Sequence, residues 1–264
     1  MKIIIYLFVF LLGTCIGSFL NVVILRLPKK RKFLNLNQRS KCPKCKHILK
    51  FWDLLPLFSF LFLGGRCHYC HKKISWQYPI VEFLTGAAFV LIFWQHGLTW
   101  QTFLGFVGTG FLMALAFIDG KFQIVPDAVS IPGIIVVFII NFWVNGGAID
   151  IQGFDHSIQS LILGMVLGAG WFYVQWLLSK GKWVGSGDIR IGALLGAFLG
   201  FWGTALALFT SYFFGSLWAI FLLIQGRVKL KSRIPFGVFL GLFGILAFIF
   251  GPKVISWYQG LIGL

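Results

Sequence analysis

The run IGALLGAFLGFWGTALALFTSYFFGSLWAIFLLIQ, residues 191–225, carries no charge over 35 positions. As one helix at about 1.5 Å rise per residue it would extend about 52 Å, against a hydrocarbon layer about 30 Å thick. It is too long for one crossing and barely enough for two. It reads as two spans, 191–203 and 204–225, broken near Phe201-Trp202-Gly203, with a single span and seven in all as the alternative. Six further apolar segments of membrane length flank it, at roughly 3–25, 78–95, 100–118, 129–145, 157–178 and 235–257. None alternates apolar with polar residues as a barrel strand would. Helices satisfy their own backbone in lipid, so the chain reads as an all-α integral membrane protein of about eight transmembrane helices.

Composition agrees. Only 11% of the 264 residues are charged, whereas 58% are hydrophobic. A soluble domain carries about 25% charged residues to cover its core. The net charge of +16 would suggest nucleic acid in a soluble protein, but here the basic residues sit in loops, where membrane topology places them. Nucleic-acid binding is therefore set aside. Thirteen of the 23 Lys and Arg fall between Arg26 and Lys73. If that loop is cytoplasmic, eight spans put 21 basic residues inside and leave Lys2 and Lys253 outside, with both termini outside. The basic loop then faces anionic lipid headgroups. The first apolar stretch runs unbroken to Leu25 and heavy positive charge follows it. It is read as a retained span rather than a cleaved signal, whose apolar region is about 7–15 residues.

Residues 26–77 form the one sizeable polar region, and a stretch at 54–63 within it is too short to cross a bilayer and is expected to lie buried or at the interface. The expected organisation is a first span at 1–25, a cytoplasmic domain at 26–77 and a polytopic core at 78–264. The middle region holds Cys42-Pro-Lys-Cys45 and Cys67-His-Tyr-Cys70. Two residues between thiolates let a tight turn put both sulfurs on one metal, and two such turns complete a four-cysteine zinc site. Two disulfides are the alternative, disfavoured by a reducing cytosol. His47, His68 and His71 lie close enough in sequence to exchange as ligands. Cys15, inside the first span, reads as a small packing residue.

Seven acidic residues leave few candidates for acid–base chemistry. Asp150 and Asp155 fall in an outer loop, Asp53 in the cysteine domain, and Glu82 a turn into the second span, where it needs a polar partner. Asp119 ends the third span, Asp127 follows Pro126 ahead of the fourth, and Asp188 closes Gly185-Ser186-Gly187-Asp188. The topology gathers these last three at the cytoplasmic edge. Two carboxylates brought close in a poorly solvated place share a proton. One then acts as base on water while the other polarises a scissile carbonyl. The glycines allow close backbone approach and conformations closed to other residues. On spacing alone, Asp119 and Asp188 serve equally well as interface anchors or helix N-caps.

Taken in series, the motifs resemble the type IV prepilin peptidase family, the bacterial relatives of the G-x-G-D membrane aspartyl proteases. They are Gly17-Ser-Phe-Leu-Asn-Val-Val-Ile-Leu-Arg-Leu-Pro28, the cysteine region through Trp52-Asp53, Gly65-Arg66 and Ile74-Ser75, then Tyr78-Pro79-Ile-Val-Glu82. Ile118-Asp119 with Val125-Pro126-Asp127, and Gly185-Ser-Gly-Asp-Ile-Arg190 with Leu194-Leu-Gly196, complete the series. The resemblance implies that Asp119 and Asp188 are the catalytic pair and that Asp127 lies outside it. It implies cleavage of a short basic leader from prepilins or pseudopilins at the cytoplasmic face of the bacterial inner membrane. It also implies N-methylation of the new terminus with S-adenosylmethionine, although no G-x-G-x-x-G fingerprint marks the donor site. Gln77 stands where the family commonly has arginine, and Val238 replaces a usual second proline after Ile234-Pro235-Phe236-Gly237. The competing reading is a transporter or channel with a zinc-stabilised cytoplasmic domain. Such proteins place ionisable groups near the midplane of paired, interrupted helices, and no Asp or Glu stands centrally in a span here.

Overall fold

A computed structural model of the protein describes residues 2–29, 40–145, 157–229, 232 and 234–262. The expected outer loop with Asp150 and Asp155, the basic residues Lys30, Arg31, Lys32 and Arg39, and Lys231 and Arg233 lie outside the described residues. The described elements are helical: α1 (Lys2–Arg26), α2 (Phe58–Phe62), α3 (Gln77–His96), α4 (Trp100–Phe122), α5 (Asp127–Asn145), α6 (Ile158–Ser179), α7 (Ser186–Ile224) and α8 (Phe236–Ile262). Among the described residues, seven of these are long and apolar enough to cross a membrane. They belong to two compact units, Met1–Leu98 and Thr99–Leu264.

In the first unit α1 and α3 pack antiparallel along a seam of small residues. A Cβ on Gly13 would stand 2.8 Å from the Cα of Gly86, and one on Gly17 would stand 2.7 Å from the Cα of Glu82. In lipid, where apolar side chains gain nothing by leaving solvent, such backbone proximity is what joins helices. Asn21 adds a hydrogen bond from its Nδ2 to the Tyr78 carbonyl at 3.1 Å. Cys15 lies on the exposed side of α1 rather than in this seam, so it does not pack the interior.

The second unit settles the long apolar run. α7 has 39 residues and is interrupted at Gly200, with φ 67° and ψ −167°. Only glycine takes that torsion without strain. Packing shows that the chain turns back there. Before the break, Gly200 lies against Gly164 of α6 while Gly192 lies against Gly168, an antiparallel pairing. After it, Phe201 bonds to Ser160 of α6 while Tyr212 bonds to Gln175, a parallel pairing. Segments 186–199 and 201–224 are therefore two antiparallel rods, and with them the seven helices make eight. The break falls at Gly200, one residue ahead of the expected Phe201-Trp202-Gly203.

A helix end leaves its last carbonyls and first N–H groups without partners, and in a buried site each must be met. The buried Asn141 of α5 donates from Nδ2 to the carbonyls of Ala197 and Phe198 at 2.9 and 3.1 Å. The Phe201 N–H donates to Ser160 Oγ at 3.0 Å, and Thr204 Oγ1 donates back to the Gly200 carbonyl at 2.6 Å. Three polar side chains in an apolar surround thus hold the reversal. With α8 packed antiparallel to α4, through Gly241 against Leu112 and Ala116, this brings the last turn of α4 and the first turns of α5, α7 and α8 to one end of the unit.

Candidate functional site

At that end α4 runs a full turn beyond its expected limit, to Phe122, so Asp119 lies within its last turn rather than at its end. Asp119 is buried, and its Oδ2 accepts the main-chain N–H of Gly237 at 2.8 Å. Gly237 stands in the first turn of α8, where unpaired N–H groups and the helix dipole favour an anion. Asp188 lies in the first turn of α7, half-buried, and its Oδ2 accepts the Gly185 N–H at 3.2 Å. Ile191, one turn after Asp188, meets the same Gly237 position that Asp119 does. Asp119 and Asp188, 69 positions apart in the chain, thus come to the same end of the unit, Asp119 against the start of α8 and Asp188 one turn from the Ile191 that meets it there.

Asp127, at the same end, is differently placed. It begins α5, is 67% exposed, and forms an ion pair with Arg190. The pair ties the start of α5 to the start of α7. Gly187 contributes space rather than torsion. A Cβ there would press on Val125 at 2.5 Å, so its absence lets the 123–126 connection lie over the first turn of α7. Gly185 has φ −77°, an ordinary value, so the expected need for unusual backbone torsions in this motif is not met. The glycines serve close approach.

Two features of this end escaped the sequence. Gly237 supplies the hydrogen bond that orients Asp119, and the only signal was the Pro235-Phe236-Gly237 motif, to which no role was attached. Tyr212 exchanges hydrogen bonds with Gln175 at 2.9 and 3.1 Å and packs on Phe236 at the start of α8 with ring centroids 4.8 Å apart. Nothing local in the sequence marks it.

The cysteine segment is built from two near-identical turns. Lys41 pairs with Ile48 and Arg66 with Lys73 as isolated antiparallel bridges. Each turn closes through a left-handed residue, Lys46 at φ 60° and His71 at φ 54°. The Lys46 N–H donates to the Cys42 carbonyl and the His71 N–H to the Cys67 carbonyl, both at 2.9 Å. The Sγ atoms of Cys42, Cys45, Cys67 and Cys70 all lie within 4.8 Å of one another, with no bond between any two. The Cys42–Cys70 separation is 3.9 Å. A tetrahedral zinc with Zn–S near 2.3 Å has sulfur–sulfur edges of about 3.8 Å, so the four thiols fit that ion. Burial pushes the Cys42 thiol up, but main-chain hydrogen bonds from Cys45 and Lys44 and the neighbouring thiols outweigh it and bring it to about 7. Cys45 goes the other way, to about 11. The His47 main chain pulls it down, while burial and its neighbours Cys42 and Cys70 push it further up. Such thiols titrate as a set. No histidine joins the cluster among the described residues; His47 instead stacks on Tyr69, ring centroids 3.7 Å apart.

Two other acidic residues find their partners here. Asp53 accepts from the Lys50 N–H and the Tyr69 hydroxyl at 2.9 and 3.2 Å. Buried Glu82 accepts the Leu57 N–H at 2.9 Å.

Comparison with known proteins adds a separate line of observation. The family model described as "Bacterial Peptidase A24 N-terminal domain" matches residues 11–96, and that described as "Type IV leader peptidase family" matches residues 106–220. A prepilin leader peptidase/N-methyltransferase of Neisseria gonorrhoeae is 34% identical, over 94% of this chain and 92% of that protein. Proteins of the same description from Pseudomonas aeruginosa and Legionella pneumophila are 30% and 31% identical, over 96% and 97% of this chain and 93% and 94% of theirs. No solved structure matches.

Proposed function

Because the chain belongs to the prepilin leader peptidase/N-methyltransferase family, we propose that Asp119 and Asp188 cut the short basic leader of a prepilin or pseudopilin. The observation that carries the catalytic assignment is that both come to one end of the second unit, Asp119 buried against the start of α8 and Asp188 half-buried in the first turn of α7. With one carboxyl ionised and the other protonated, the ionised one takes a proton from water as that water attacks the scissile carbonyl. The protonated one hydrogen-bonds the carbonyl oxygen as charge develops there. Collapse of the tetrahedral intermediate breaks the C–N bond, and the leaving amine takes the proton. Asp127, paired with Arg190, stays outside this exchange and fixes the α5–α7 approach.

The protein is a multi-pass protein of the bacterial inner membrane, and the loop charge of 21 to 2 supports an active site and cysteine domain on the cytoplasmic side. The basic loop there meets anionic lipid. Zinc held by Cys42, Cys45, Cys67 and Cys70 is structural, since four thiolates leave no open position. Methylation of the new terminus extends the same family reading, with S-adenosylmethionine as donor. A cationic sulfonium suits buried acceptors, and the first unit offers Glu82 and the Asn21 Oδ1, which is buried with no hydrogen-bond partner. Bound there, the donor would supply the methyl group, and these two residues would hold the positive charge. The transporter alternative finds no support in the family assignment.

Co-expression with a prepilin tests the proposal by mobility shift and intact mass. Loss of the leader with gain of one methyl group is expected. Leader loss without the methyl group would remove the methyltransferase half, and an uncut prepilin would overturn the whole.

A further inference from the structure

The cysteine segment carries its large apolar side chains outward. Leu61 and Phe62 of α2 are 73% and 86% exposed, and Phe51, Trp52 and Trp76 are 69–73% exposed. In a membrane-crossing helix such exposure meets lipid. In a polar loop region it marks a surface that something covers. The depth of α2 identifies the cover. Leu57, just ahead of α2, is bonded to Glu82, the sixth residue of α3 and so about 7–8 Å along that span from its start. Phe60 packs on Trp76, the residue preceding α3, with ring centroids 5.0 Å apart. The short helix therefore begins beside the second turn of a membrane span, and its middle lies level with the residue just ahead of that span. An interfacial element rests with its apolar face about 5–10 Å into the headgroup and acyl boundary, the same depth. Charge is arranged to match: Lys50 precedes Phe51-Trp52, Arg66 follows α2, and Lys72-Lys73 precede Trp76, placing cations at the level of lipid phosphates.

We propose that α2 and the Phe51-Trp52 turn are seated in the lipid interface, with Lys50, Arg66, Lys72 and Lys73 against anionic headgroups. The bilayer itself is the occupant of this face, and the cysteine centre rides on the membrane surface rather than in bulk water. This rests on the spans of the first unit, not on the cleavage chemistry, so the two fail separately.

The test uses the full-length protein in nanodiscs containing phosphatidylglycerol, with an environment-sensitive fluorescent amino acid replacing Phe62 and lipids brominated near the headgroup. Blue-shifted emission quenched at least about twofold by the bromolipid is expected, while the same probe at Lys46, at the tip of a cysteine turn, stays unquenched. Water-like emission at position 62 overturns the proposal. So does blue-shifted emission that bromolipid does not quench, since a protein partner or a second copy would then be the cover. In a second measurement, the Leu61→Asp/Phe62→Asp variant should speed hydrogen exchange of amides 54–63 while α3 keeps its protection; unchanged exchange also overturns it.

Discussion

Replacing Gly237 by Ala should remove activity and spare the fold. The added Cβ would stand 2.8 Å from Asp119 Oδ2, 3.0 Å from its Cγ and 2.9 Å from Ile191 Cδ1, where ordinary contact begins at 3.4 Å. The carboxylate must then retreat by about half an ångström, the tolerance within which catalytic groups are held. The three crowded atoms belong to the outer ends of two flexible side chains, so relaxation is cheap for folding. Alanine also recovers up to about 1 kcal/mol of helix propensity over glycine. The N–H of residue 237 survives, which isolates position from bonding. Misplacement by about 1 Å costs about 100-fold, so kcat/KM should fall by about 10- to 100-fold, or roughly 1.4–2.7 kcal/mol in the barrier. Leader cleavage by purified protein in nanodiscs, followed by mass spectrometry beside a thermal unfolding curve, reads both quantities. Wild-type cleavage would refute the role of the α8 start in setting Asp119. Loss of cleavage together with loss of fold would refute the claim that side chains absorb the clash.

Three more outcomes are expected. Asp127→Asn should keep cleavage within several-fold and lower stability by no more than about 1 kcal/mol, as for an exposed ion pair; abolished cleavage would place Asp127 in the chemistry. Asn141→Leu leaves the Ala197 and Phe198 carbonyls unmet, a loss of about 1–3 kcal/mol visible in denaturant unfolding, and unchanged unfolding would discard the account of the Gly200 reversal. Purified protein should carry about one zinc per chain, measured by elemental analysis, and should release it as acid protonates the thiolates; metal-free protein in which Cys42, Cys45, Cys67 and Cys70 all alkylate would count against the site.

The spans and the cysteine turns were legible because both signals are local. Long uncharged runs need no partner to be recognised, and two-residue spacing between thiols constrains geometry by itself. The break in α7 was legible only approximately. Gly196, Gly200 and Gly203 all punctuate the run, and what selects Gly200 is Asn141 and Ser160 reaching it from other helices. The placement of Asp119 and Asp188 at one end of the bundle followed from loop charge and span count. Their orientation did not, because it depends on a main-chain N–H 118 positions away at Gly237, and any residue but proline has one. Tyr212 was hidden for a similar reason: it meets Gln175 and Phe236 only because the chain reverses.

The central claim is that Asp119 and Asp188 act together on one peptide bond. Its most direct test is cleavage of a purified prepilin by wild-type, Asp119→Asn and Asp188→Asn proteins, matched in zinc content and thermal unfolding. Each single variant should lose at least about 1,000-fold, the double variant losing little more, because residues acting as a unit are not additive. Retention of near-normal cleavage by either single variant, or losses that simply multiply in the double, would contradict the pair.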